Sequence, residues 1–191
     1  MGMLILGLLL FLGVHSTRIV ADGWRTTMMA RLGEGPWKGL YALLSLIGFA
    51  LLVWGYGLAR QQPVALWQPP TGMRHAASLL MLIAFVLLAA TYVPRNAVKA
   101  RLHHPMVLAV KVWALAHLLS NGNVADVLLF GSFLLWAALS FRAARARDRA
   151  TRASSAASTA AGTAMTLLVG IVAWAVFAFW AHAVLIGVRP L

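Results

Sequence analysis

Apolar residues in this chain come in long runs, broken by short stretches where Arg, Lys, Gly, Pro and His collect. A helix that crosses the hydrocarbon of a bilayer needs about 20 mostly apolar residues. Six runs approach or reach that length: residues 3–20, 37–59, 73–93, 105–119, 124–141 and 164–188. The fourth is the weakest, because it is short and carries Lys111 and His117. Only residues 120–123 separate it from the fifth, which predicts two short helices packed as a hairpin inside the bundle. The first run has no basic residue ahead of it and no A-x-A pattern after it, so it is expected to persist as a helix rather than be removed as a signal peptide. The predicted fold is all-α, a polytopic transmembrane bundle of about six helices forming one domain over residues 1–191.

Composition places the chain in the same class. Hydrophobic residues make up 62% and charged residues only 10%, against about 25% charged in a soluble domain, so little material is left to face water. Cysteine is absent, which removes disulfides, zinc–thiolate sites, iron–sulfur clusters, c-type haem attachment and a thiol nucleophile. The formal net charge is +12, and its distribution gives it meaning. Arg18, Arg25, Arg31 and Lys38 lie in the first connection, Arg95, Lys99 and Arg101 in the third, and Arg142, Arg145, Arg147, Arg149 and Arg152 in the fifth. These twelve fall on one side, against Arg60, Arg74 and Arg189 on the other. Basic connections stay in the cytoplasm, so both termini are expected on the periplasmic side of a bacterial inner membrane. Anionic membrane lipid suffices as the partner of this charge, and nucleic acid is not a predicted partner. Residues 142–163 read as a basic, Ala/Ser/Thr-rich cytoplasmic connector.

Ionisable groups inside a span cost several kcal/mol and are functional candidates by default. Here they are His15, Lys111, His117 and His182, with His75 and His104 at helix starts. Asp126, at the start of the fifth run, is the one acidic residue near a span, so a carboxylate relay, a cation cage and paired-carboxylate hydrolysis lack their groups. No P-loop, G-x-S-x-G or H-E-x-x-H pattern occurs. Histidines on facing helices without thiols or carboxylates point to haem b, whose iron takes neutral imidazole and whose propionates take cations. Lys111, Arg18 and Arg101 are the candidate cations. The alternative is interhelical hydrogen bonding. At 1.5 Å per residue His117 lies roughly 18 Å and His15 roughly 10 Å from the cytoplasmic face. Pairs His15–His117, His117–His182 and His15–His104 all remain open on depth alone. Lys111 reads either as a ligand contact or as a side chain snorkelling to the headgroups.

The run HPMVLAVKVWALAHLLSNGNVADVLLFGSF (residues 104–133), with FLGVHSTR (11–18), YVPRNAVKARLHHP (92–105) and HAVLIGVRP (182–190), closely resembles the NnrU family of bacterial membrane proteins. That resemblance covers nearly the whole chain outside residues 143–164. It implies a role in denitrification, in nitrite and nitric oxide metabolism, because the family takes its name from a gene associated with it. NnrU proteins are in turn similar to 15-cis-ζ-carotene isomerase, a membrane enzyme that uses haem b. The two histidine ligands of that enzyme match His15, in its H-S context, and His117, at the end of W-x-x-x-H. The resemblance therefore implies His15 and His117 as iron ligands, with Lys111 and His104 near the cofactor, and a small iron ligand or a redox partner beside membrane lipid. The isomerase carries a cysteine three residues before its second histidine; Ala114 stands there in this chain, so ligand exchange through a thiolate is unavailable. A polyene isomerase and a non-catalytic assembly factor are the alternative functions.

Overall fold

The computed structural model describes residues 1–152 and 156–190. Its elements are α1 (Gly2–Val20), α2 (Asp22–Leu32), α3 (Glu34–Gln61), α4 (Met73–Tyr92), α5 (Ala97–Leu102), α6 (Pro105–Ser120), α7 (Val124–Thr151) and α8 (Ala160–Val176). A π-helical turn over Phe177–Ala181 and α9 (His182–Ile186) follow. The described residues hold no strand beyond an isolated bridge between Ala65 and Asn123. Four helices, α1, α3, α4 and α7, and the continuous helical stretch Ala160–Ile186 are long and apolar enough to cross a bilayer, and α6 is a shorter apolar helix. The chain is a multi-pass membrane protein. Its largest side chains are turned outward all along these helices, from Leu9 on α1 to Leu168 on α8, as a lipid solvent allows.

In space the long helices follow the order α3, α1, α7, α6, α4, α8, each packed on the next. Short connections make successive spans run in opposite directions, so α1 and α7 are parallel neighbours and the other pairs antiparallel. We call the end that holds α2, α5 and the α7–α8 connection the basic end, and the opposite one the far end.

Packing between helices rests on small residues, as it must where lipid tails compete equally for apolar surface. A Cβ on Gly7 would collide with the Leu52 backbone, one on Gly55 with the Leu4 backbone, and one on Gly48 would sit 2.8 Å from the Phe11 nitrogen. Three glycines thus bring α1 and α3 into backbone contact. Gly170 plays the same part against Val86 between α8 and α4, whose inner face is alanine: Ala77, Ala84 and Ala90 are buried.

Polar residues pin the corners. Asn96 is 2% exposed; its amide donates to the Ala90 and Val93 carbonyls, and its oxygen accepts from the Lys99 amide at the start of α5. At the far end the Leu66 amide donates to the Gly122 carbonyl and the Val124 amide to that of Val64, so the α3–α4 loop covers the α6–α7 turn. Only glycine fits at 122, where a Cβ would overlap the Trp67 carbonyl oxygen.

The expected bundle is present, with corrections at element ends. The α6–α7 hairpin forms, but α7 is not short: it continues ten residues past Phe141, from Arg142 to Thr151. Ala and Arg at 142–150 are good helix formers, and the extension is tied down by polar contacts on its packed side. Residues 142–163 are therefore not one loose connector; α8 also claims 160–163, and residues 153–155 lie outside the described residues. The sixth run is not one α-helix, because the π-helical turn interrupts it directly before His182.

The glycine contacts give a direct expectation. Gly7→Ala and Gly55→Ala should each lower stability by about 1–3 kcal/mol through overpacking, read as a fall in unfolding midpoint in detergent. Gly57→Ala, where nothing lies within 4 Å of the added carbon, should be neutral or slightly stabilising.

Candidate functional site

Two of the intramembrane histidines, His15 and His117, share one local arrangement. His15 Nδ1 lies 2.7 Å from the Phe11 carbonyl oxygen, and His117 Nδ1 lies 2.9 Å from that of Trp113, in both cases four residues back on the same helix. A carbonyl only accepts, so Nδ1 carries the proton and donates. Nε2 is then left with its lone pair in plane, the form in which imidazole binds a metal. Each ring is also held by stacking, His15 on Phe11 at 4.2 Å and His117 on Phe130 at 4.5 Å between centroids.

Helix α7 supplies the wall between them. His117 stacks on Phe130, while His15 meets Trp136 edge-on at 6.2 Å. Those two α7 positions are six residues apart, about 9 Å of rise, so the histidines sit at different heights. A chain of ring contacts joins them: His15 to Phe11, Phe11 to Phe133 at 5.9 Å, Phe133 to Trp113 at 5.4 Å, and Trp113 to His117 at 5.3 Å. Tyr41 closes the other side of His15, 5.2 Å away. The Trp136 Nε1–H is buried beside His15 and has no acceptor among the described residues.

Around His117 the far end builds a polar cluster. Asp126 is 3% exposed. Its Oδ1 accepts from the Tyr56 hydroxyl at 2.6 Å, and its Oδ2 accepts from both the backbone and the side-chain nitrogen of Asn123. The carboxylate thereby caps α7 and joins it to α3. Arg60, one turn beyond Tyr56, places its guanidinium carbon 6.0 Å from that ring and donates to the Ile186 carbonyl at 3.1 Å, linking the two outermost helices. His182 meets Phe177 edge-on, and its Nδ1 donates to the Val188 carbonyl at 2.7 Å.

The other expected site residues lie elsewhere. His104 is at the basic end, where its Nε2 meets Asp148 Oδ2 at 2.9 Å, together with Arg145 at 3.3 Å and His103 at 3.6 Å. Its metal-binding nitrogen is thus already engaged, and the cluster fastens the start of α6 to the α7 extension. Lys111 is exposed on the outside of α6, and His75 is exposed at the start of α4. Asp126 pairs with Tyr56 and Asn123 rather than with Lys111. Of the residues that sequence reasoning passed over, Asn123 had a local signal, since Asn-x-x-Asp ahead of an apolar run is a capping pattern. Tyr56 had none; it meets Asp126 across 70 residues of chain.

The cluster should be stabilising in a graded way. Tyr56→Phe removes one hydrogen bond and is expected to cost about 1 kcal/mol. Asp126→Ala strands the Tyr56 hydroxyl and uncaps α7 at once, so its loss of unfolding midpoint in detergent should clearly exceed that of Tyr56→Phe.

Comparison with known proteins gives one family. The family model described as "NnrU protein" matches residues 3–190, which includes both anchored histidines, Asp126 and the basic cluster. No match was found among curated proteins or among solved structures. With nearly its whole length matched, the chain belongs to the NnrU protein family.

Proposed function

We propose that this protein binds haem b through His117 and His15 in a bacterial cytoplasmic membrane, with its basic end in the cytoplasm, and serves denitrification as part of nitrogen-oxide metabolism. The observation that carries the reading is the shared anchoring of the two histidines: each Nδ1 is spent on the carbonyl four residues back, and each Nε2 is left for a ligand bond. The surroundings are apolar and aromatic, which suits the chemistry of a macrocycle; the rings between the two histidines would have to part to admit it. Phe11, Trp113, Phe130 and Phe133 offer flat faces, and the unpaired Trp136 Nε1–H offers a donor at His15. When bound, haem b supplies a one-electron iron centre. The protein's own contribution is to hold each imidazole in one tautomer and orientation and to keep water away with the aromatic shell.

A second ligand pair is His117 with His182: His182 is one turn before Ile186, whose carbonyl accepts from Arg60 at the far end, whereas the route from His117 to His15 passes through three aromatic rings. The polyene-isomerase reading has less support: the position of the isomerase cysteine is Ala114, fully buried in the apolar core.

The test is haem content of protein purified in detergent after expression with a haem precursor, by visible spectrum and pyridine haemochrome. The expected result is haem b near one per chain. His117→Ala and His15→Ala should each lose about nine-tenths of it while remaining inserted, and His104→Ala should keep it, since even a supporting contact at such a site is worth about tenfold in affinity. Loss in His182→Ala with retention in His15→Ala would move the second ligand to the far end. A folded, colourless wild type would overturn haem binding and leave an assembly role.

A further inference from the structure

The basic end carries three arginines, Arg142, Arg145 and Arg149, on one face of α7. The extension of this helix is held on one side only: Ala144 is buried, Arg147 donates to the Arg18 carbonyl at 3.2 Å, and Asp148 takes His104 and Arg145. At 100° per residue, positions 142, 145, 146 and 149 form the opposite face. There Arg142, Arg145 and Arg149, with Phe141, Ala143 and Ala146, line an open surface hollow of about 530 Å³ along this one helix. Small alanines between the arginines leave the space open. Arg145 is fixed by its 3.3 Å contact to Asp148, while Arg142 and Arg149 are exposed.

Arg145 has Asp148 as its counter-charge, while Arg142 and Arg149 have no carboxylate partner among the described residues. The chain has four acidic residues, and all are engaged elsewhere or on the packed side. Asp22 pairs with Arg25 and Glu34 with Lys38; Asp126 is saturated by Tyr56 and Asn123; Asp148 serves Arg145 and the two histidines. Arg142 and Arg149 therefore take an anion from outside the chain. Height selects which one. Phe141 is about 26 Å along α7 from its far-end start, where the hydrocarbon of about 30 Å ends. The first ring of the hollow is apolar and in the acyl region, and the arginines follow within the headgroup layer.

We propose that Arg142, Arg145 and Arg149 bind the phosphate headgroup of one anionic phospholipid, with Phe141 against its acyl chains. Guanidinium forks pair bidentately with phosphate oxygens, and basic side chains at the headgroup level are attracted to an anionic leaflet.

Native mass spectrometry of the full-length protein from mixed micelles of phosphatidylglycerol and phosphatidylcholine tests this. Wild type should retain one phosphatidylglycerol in preference to phosphatidylcholine. Arg142→Gln/Arg149→Gln should lose that preference by about tenfold or more. Arg31→Gln/Arg101→Gln removes the same charge from the same end and should keep it. Equal loss in both double variants would show a diffuse basic face and overturn the site. Displacement of the lipid by equimolar glycerol phosphate would assign the hollow to a soluble phosphate instead. Capture of an oligoglutamate peptide through these arginines, without lipid retention, would assign it to an acidic protein. Both of those results contradict the lipid proposal.

Discussion

Inside a bilayer no water is available to a polar side chain, so each must find its partner within the protein. The protein meets this constraint mostly by folding side chains back on their own helix. Thr17, Ser45, Thr91, Ser120 and Thr166 donate to carbonyls three or four residues earlier. His15 and His117 do the same through Nδ1. For a hydroxyl the matter ends there. An imidazole has a second nitrogen, and the same local bond that satisfies Nδ1 fixes Nε2 as a lone pair directed away from the helix axis. The constraint that makes the span tolerable thus also prepares a ligand.

The rest of the architecture keeps these rings where they are. Glycine contacts set α1 against α3, which brings Tyr41 to His15 and Tyr56 to Asp126. The α6–α7 hairpin sets Trp113 and His117 against Phe130 and Phe133. Asp126 ties the two halves at the far end, and Asp148 fastens α6 to α7 at the basic end. Two of the four acidic residues are therefore the cross-links of a chain that otherwise carries a large excess of positive charge. That economy leaves Arg142 and Arg149 to the surroundings of the protein.

Much of this was legible in the sequence, and the limits have physical causes. Hydrophobic run length located all six apolar stretches, because the bilayer imposes one length on every spanning helix. It misplaced the end of α7, since run length reports the membrane boundary while Ala and Arg carry the helix beyond it to Thr151. His15 and His117 stood out as ionisable groups in spans, and their difference in height followed from counting residues. Their i−4 anchoring was legible in principle, given any helical histidine with an open carbonyl one turn back. The contact of His104 with Asp148 was not legible, because the two are 44 residues apart. Which side of α6 carries Lys111 was not legible either, because depth alone does not give it. The interhelical bond of Tyr56 depends on which helices become neighbours, and periodicity does not carry that information.

The central claim is that His15 and His117 are prepared imidazole ligands to one iron. Low-temperature electron paramagnetic resonance of the oxidised, detergent-purified protein tests it most directly. The account predicts a low-spin ferric signal of the bis-imidazole type that turns high-spin, or disappears, on substitution of either histidine. A high-spin signal in the wild type, or a low-spin signal unchanged in both variants, would contradict it.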